Sequence, residues 1–155
     1  MAQPKPNDRL RLDIVHEDAF VVVANKAPGM VTEPGTSHRD DSLINGLVAR
    51  YGGKMLRLGE RRDYGLLHRL DRQTSGCVAC ALDPDGYDLI RAQFEARTVS
   101  KRYLAGVKGR MRAGARSIEL GLEERRVPSD EGSRLVSVPS RTGRPAITDL
   151  EVLAT

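Results

Sequence analysis

The sequence predicts an α+β domain: a mixed, largely antiparallel sheet with flanking helices. Three observations carry this. Short β-branched runs such as Val21-Val22-Val23 and Leu135 to Val138 alternate with two helical patterns at irregular intervals. Regular β-α-β order is absent, and so is a string of hairpins. The 155 residues, 39% of them hydrophobic, suit one domain or the larger part of one, with core enough to fold without disulfides.

In order along the chain, residues 1 to 11, with Pro4 and Pro6 and mixed charge, read as a disordered lead-in; residues 12 to 155 form the domain. Leu12 to His16 and Phe20 to Asn25 read as strands joined by a polar turn at Glu17-Asp18, and Ala27-Pro28-Gly29 ends the second. Asp41 or Ser42 caps a short helix whose apolar face is Leu43, Ile44, Leu47 and Val48; Gly52-Gly53 is expected to stop it. Residues 54 to 64 read as a basic loop, Gly65 to Leu70 as extended chain and Cys77 to Leu82 as a buried strand. Asp83 caps a second helix with Pro84 at its first position, and Leu89, Ile90 and Phe94 give it an apolar face. Arg102 to Val107 reads as a strand. Residues 108 to 134 show no firm period beyond a short strand at Ser117 to Leu120, and Leu135 to Val138 and Ala146 to Leu153 are late strands. That last pattern runs into the end of the chain at Glu151-Val152-Leu153-Ala154-Thr155.

The apolar runs are all far shorter than the roughly 18 residues a membrane span needs. Met1 to Asn7 has no hydrophobic stretch of the signal-peptide kind, and two cysteines close together do not make a secreted disulfide framework. A cytoplasmic protein is expected. Cys77-x-x-Cys80 has no second pair to complete a zinc site, and odd spacing in a strand sends its side chains to opposite faces; both are read as buried small hydrophobes. His16, His38 and His68 show no ligand spacing, so no metal is expected.

Net charge is only +4, but its distribution is uneven. Seven basic residues and no acid lie between Arg97 and Ile118, namely Arg97, Lys101, Arg102, Lys108, Arg110, Arg112 and Arg116. Five basic residues and one acid lie between Arg50 and Arg62. Such blocks are either solvated surface or a track for a phosphate backbone. Aromatics make up 4% of the chain and tryptophan is absent, which argues against a broad stacking platform for single strands.

The chemistry concentrates in His68-Arg69-Leu70-Asp71-Arg72-Gln73-Thr74-Ser75-Gly76. A loop of this composition holds a carboxylate rigidly, with Thr74 and Ser75 placed to donate hydrogen bonds and Arg69 and Arg72 placed to keep Asp71 ionised. A fixed, ionised carboxylate serves as nucleophile or general base. On residue chemistry alone, an ion-paired loop with a Thr-Ser-Gly turn explains the cluster equally well.

The pattern His-Arg-Leu-Asp-x-x-Thr-Ser-Gly at 68 to 76 resembles, without a mismatch, the signature of pseudouridine synthases of the large-ribosomal-subunit type; the small-subunit branch carries glycine where His68 stands. Val21 to Gly29 resembles the family's strand ending in Asn-Lys-Pro-x-Gly, with the proline one place late. Gln93 to Tyr103 resembles its Phe-x-x-Arg-x-Val-x-Lys-x-Tyr segment, and Pro145-Ala146-Ile147-Thr148 a later strand, so the likeness runs from about residue 12 onward. The resemblance implies the pseudouridine synthase catalytic-domain fold and isomerisation of uridine in structured ribosomal or transfer RNA. It implies no cofactor, RNA as partner, and a monomer when complete. It makes Asp71 the catalytic carboxylate and Tyr103 the ring that packs against the target base. Arg69 would hold RNA with the base extruded, and Arg72, Lys101, Arg102, Lys108 and Arg110 would line its backbone. His68, Thr74 and Ser75 would support the loop.

The family's further motif, Thr-Gly-Arg-x-His-Gln-Ile-Arg, whose first arginine pairs with the catalytic aspartate, has no counterpart. Thr142-Gly143-Arg144 precedes the Ala-x-Thr strand instead of following it and is followed by Pro145, so it reads as a turn. Two expectations stand open: a fragment of a longer protein, the favoured one, or a degenerate relative. Either would expose a sheet edge and apolar surface. A non-catalytic RNA-binding piece is the main rival reading. An aspartyl-nucleophile hydrolase lacks its second aspartate, since Gln73 stands there, and a purely structural protein leaves 68 to 76 unexplained.

Overall fold

A computed structural model describes residues 3–129 and 132–154. The chain divides into two compact units, residues 1–102 and 103–155, where the sequence had suggested one continuous domain. Each carries a three-stranded antiparallel sheet, so the α+β class holds.

In the first unit, β1 (Ile14–Glu17), β2 (Val21–Lys26) and β3 (Gly76–Ala81) lie in that order. The turn between β1 and β2 is built by Asp18, whose Oδ1 accepts from the N–H groups of Phe20 and Val21, both at 2.8 Å; those bonds hold its carboxyl below the usual carboxylate range. Period-two alternation sends Val22, Ala24 and Lys26 to one face of β2, all fully buried, facing Val78 and Cys80 across the ladder. Helix α1 (Leu43–Leu58) covers that face with Leu43, Ile44, Leu47 and Met55. The opposite face, Val21, Ala79 and Ala81, packs with Tyr87, Ile90 and Phe94 of α2 (Pro84–Glu95).

Ser42 is the cap of α1, in a reciprocal capping box with Asn45. The helix does not stop at Gly52-Gly53. It kinks at Tyr51 and runs on to Leu58, absorbing the expected basic loop, because the turns beyond the kink bury Met55 and Leu58. Two glycines cost about 1 kcal/mol each in a helix, less than burying those two side chains returns. A 3₁₀ segment, Glu60–Gly65, follows. Gly65 is required there: φ is +94°, and a Cβ would stand 2.3 Å from the Ala81 carbonyl oxygen. The lead-in is not free chain. Pro4 is buried, and Asn45 ties residues 5 and 7 down by donating to the Lys5 carbonyl and accepting from the Asn7 N–H through its own backbone.

Asp83 caps α2 as expected, accepting from the Asp85 and Gly86 N–H groups, with Pro84 opening the helix. The expected strand at Arg102 to Val107 is absent; residues 101–107 form no ladder. In the second unit β4 (Gly114–Ser129) is far longer than the short strand expected at Ser117 to Leu120. It is the central strand, pairing with β5 (Gly132–Pro139) along one half and with β6 (Arg144–Val152) along the other. The Thr142-Gly143 turn links β5 to β6, closed by the Gly143 N–H on the Ser140 carbonyl. Leu120, Leu135 and Ile147 of this sheet are exposed. Among the described residues, no helix is long and apolar enough to cross a membrane.

Candidate active site

Asp71 sits on the exposed surface of the first unit, at the first position of a turn whose backbone closes from the Thr74 N–H to the Asp71 carbonyl at 3.0 Å. The segment leading to it runs beside β3: Leu66 bridges Cys80, and the Leu67 N–H reaches the Ala79 carbonyl. Gly76, at φ +129°, lets the chain turn back into β3.

The turn is gripped by residues 26 to 32. Thr32, buried, donates its hydroxyl to the Leu70 carbonyl at 2.7 Å and accepts from the Leu70 N–H at 3.2 Å. On the other side of Asp71, the Arg72 carbonyl accepts from the Gly29 N–H at 2.8 Å and from the Lys26 ammonium at 3.2 Å. The Arg72 guanidinium returns a bond from Nε to the Gly29 carbonyl. Lys26 is fully buried and also donates to the Met30 and Ala27 carbonyls, at 2.7 and 3.1 Å. Burial lowers its pKa, against an opposing pull from the Asp71 charge.

His68 is the third support. Its Nε2 accepts from the Ala79 N–H at 3.1 Å, and its ring stacks on Phe94 at 5.0 Å between centroids. The ammonium of Lys101 lies 5.9 Å from the centroid of the Phe94 ring. Burial, and to a smaller degree the Lys101 charge, pushes the His68 pKa down, consistent with a neutral imidazole accepting at Nε2.

The two flanking arginines are engaged elsewhere. Arg69 is paired with Glu33, and Arg72 with the Gly29 backbone. The ammonium of Lys26 is the cation coupled to Asp71. The contact from Thr74 to Asp71 is its backbone bond; among the described residues neither its hydroxyl nor that of Ser75 reaches the carboxylate. Lys101 and Arg102 are exposed at the end of the first unit; Tyr103, Lys108 and Arg110 belong to the second, in irregular, exposed chain. The first unit thus assembles His68, Arg69, Asp71, Arg72, Thr74 and Ser75 on one loop. Cys80 is buried, its thiol pushed up to about 12, while Cys77 is exposed, against the expectation that both are buried. No cluster of three His, Cys, Asp or Glu side chains suited to a metal occurs among the described residues.

Sequence reasoning missed Lys26 and Thr32 as parts of the site. A signal existed for the lysine: it continues the inward positions Val22 and Ala24, where a charge has to be bound by something.

A family model described as RNA pseudouridylate synthase matches residues 20–155. The chain belongs to the RNA pseudouridylate synthase family. Among its curated relatives, a ribosomal large subunit pseudouridine synthase D of Borreliella burgdorferi is 33% identical over 90% of this chain and 42% of its own length. An uncharacterized RNA pseudouridine synthase of Bacillus subtilis is 32% identical over 92% of this chain and 45% of its own. The chain therefore spans less than half the length of these relatives. Among solved structures, human RNA pseudouridylate synthase domain containing 1 shares the fold, with a TM-score of 0.65 at 24% identity over 96% of this chain and 55% of that one.

Proposed function

We propose that this pseudouridylate synthase chain carries the carboxylate that isomerises uridine to pseudouridine in structured ribosomal RNA, and that Asp71 is that group. The observation that carries the reading is the turn at Asp71, exposed at its side chain yet pinned through Leu70 on one side and Arg72 on the other. Rigid backbone under an accessible carboxylate is what an attacking or proton-abstracting group needs. The reaction breaks an N-glycosidic bond, turns the uracil and joins its carbon 5 to the same sugar, releasing the carbon 5 proton. It is redox-neutral and asks for no cofactor. Asp71 can engage the nucleotide by adding to the base or the sugar, or by removing a sugar proton.

The target has to leave its stack first, which costs a few kcal/mol. Tyr103 under the flipped base would offset about 1–3 kcal/mol of this. Arg69 would keep the base extruded, and Arg72, Lys101, Arg102, Lys108 and Arg110 would follow the backbone. The printed names of the relatives favour ribosomal over transfer RNA. The protein is read as a cytoplasmic monomer when complete.

One observation favours a second reading, a catalytically incomplete RNA-binding piece of such an enzyme: the chain covers 42% of the Borreliella burgdorferi relative. Tritium release from ribosomal and transfer RNA labelled at uracil carbon 5 separates the two. Release that vanishes in Asp71→Asn supports the synthase; RNA binding without release, unchanged in Asp71→Asn, supports the binding piece.

A further inference from the structure

Lys26 is the one fully buried charged side chain among the described residues. Its ammonium has three donors, and three backbone carbonyls take them, those of Ala27, Met30 and Arg72. A neutral amine would turn its lone pair on one of those carbonyls, so the geometry calls for the protonated form although burial opposes it. Two of the carbonyls come from the segment following β2, and the third belongs to the residue after Asp71. The other charges of this region are occupied, Arg69 with Glu33 and Arg72 with the Gly29 carbonyl, which leaves Asp71 as the ionisable group coupled to the lysine.

We infer that Lys26 is a positioning residue for Asp71: its ammonium fixes the peptide that follows the aspartate and supplies the immobile positive charge of the site. A lysine that served only to fill the core would be replaced by methionine with a loss of stability alone. A positioning lysine also responds to the charge on Asp71. The catalytic half of the inference rests on the reaction proposed above; the electrostatic half does not.

The test follows the Lys26 side chain by NMR through a pH titration, in the wild-type chain and in Asp71→Asn. Asp71 is exposed at a turn position that asparagine also suits, so this variant keeps the fold. The Asp71 charge raises the lysine's pKa, so removing it is expected to move the Lys26 titration to lower pH. A Lys26 titration unmoved by Asp71→Asn overturns the inference. In parallel, Lys26→Met is expected to lower kcat for tritium release by about 10²-fold with KM close to wild type, the cost of a carboxylate displaced by about 1 Å. An unchanged kcat in a folded Lys26→Met chain also overturns it. If the wild-type chain releases no tritium, the reaction reading is what fails, and the NMR titration still decides the coupling.

Discussion

Replacing Thr32 by valine removes one oxygen atom and, with it, both bonds that hold Leu70. The hydroxyl donates to the Leu70 carbonyl and accepts from the Leu70 N–H, at 2.7 and 3.2 Å, and both residues are buried. Valine keeps the shape, so packing is almost unchanged while two backbone groups are left without partners. A buried, unpaired polar group costs about 1–3 kcal/mol, so the pair is expected to cost about 2–4 kcal/mol after partial relaxation. With a urea slope near ~2 kcal/mol/M, the unfolding midpoint should fall by about 1–2 M. Thr32→Ser is the control. It keeps the hydroxyl and loses one methyl, worth about 1 kcal/mol. The assay is urea denaturation of wild type and both variants, read at α1 and at the Asp71 loop by hydrogen exchange. If valine costs no more than serine, Thr32 does not grip the turn through its hydroxyl and the account of how Asp71 is held is wrong.

Three further outcomes are expected. Gly65→Ala should cost on the order of 3 kcal/mol or more, since it combines an unfavourable positive φ with a Cβ 2.3 Å from the Ala81 oxygen; a melting temperature within a degree or two of wild type would contradict this. The folded pKa of His68 lies below its unfolded value, so its stabilising contribution is complete above the unfolded value of about 6.5 and is lost as pH falls below it. Wild type should therefore lose more stability between pH 7 and pH 5 than His68→Gln, and equal losses would refute the role given to the imidazole. Exposed Cys77 should react with a thiol reagent in the native protein while Cys80, buried with its thiol near 12, reacts only on unfolding; two equally fast thiols would mean that β3 is not packed as described.

Local chemistry made much of the first unit legible. The Val21 to Ala24 run closed by Ala27-Pro28-Gly29, the Asp83-Pro84 helix start and the cysteine strand all depend on residues close together in the chain, and each stands within a residue or so of where it was read. The class of fold and the family followed from them and from the 68 to 76 pattern. The errors arose where distant residues decide. Gly52-Gly53 is a stop signal by propensity, but Met55 and Leu58 have a core to enter, and tertiary burial overrides it. Strand β4 shows no clear period because, among the residues with assigned burial, none along its length is buried, and without a wet and a dry side there is no alternation to read. The arginines next to Asp71 were expected to serve it because they are adjacent in sequence. In the fold Arg69 finds Glu33 36 positions away, and the cation coupled to Asp71 is Lys26. Sequence proximity identified the carboxylate and misidentified its counter-charge.

The bond from Lys26 to the Arg72 carbonyl spans 46 positions, and that from Thr32 to Leu70 spans 38. Neither end of the Asp71 turn is therefore held by its neighbours along the chain. Closing loops of this length carries an entropy cost that only the β2–β3 ladder and the helices packed on it can offset. The turn acquires its shape late, after the sheet has zipped, and nothing local would keep it in a nascent or partly unfolded chain. Reactivity is thus tied to completion of the fold: a chain still being made, or one opened at β2, carries the aspartate but not the geometry, and leaves RNA unmodified until the two segments meet.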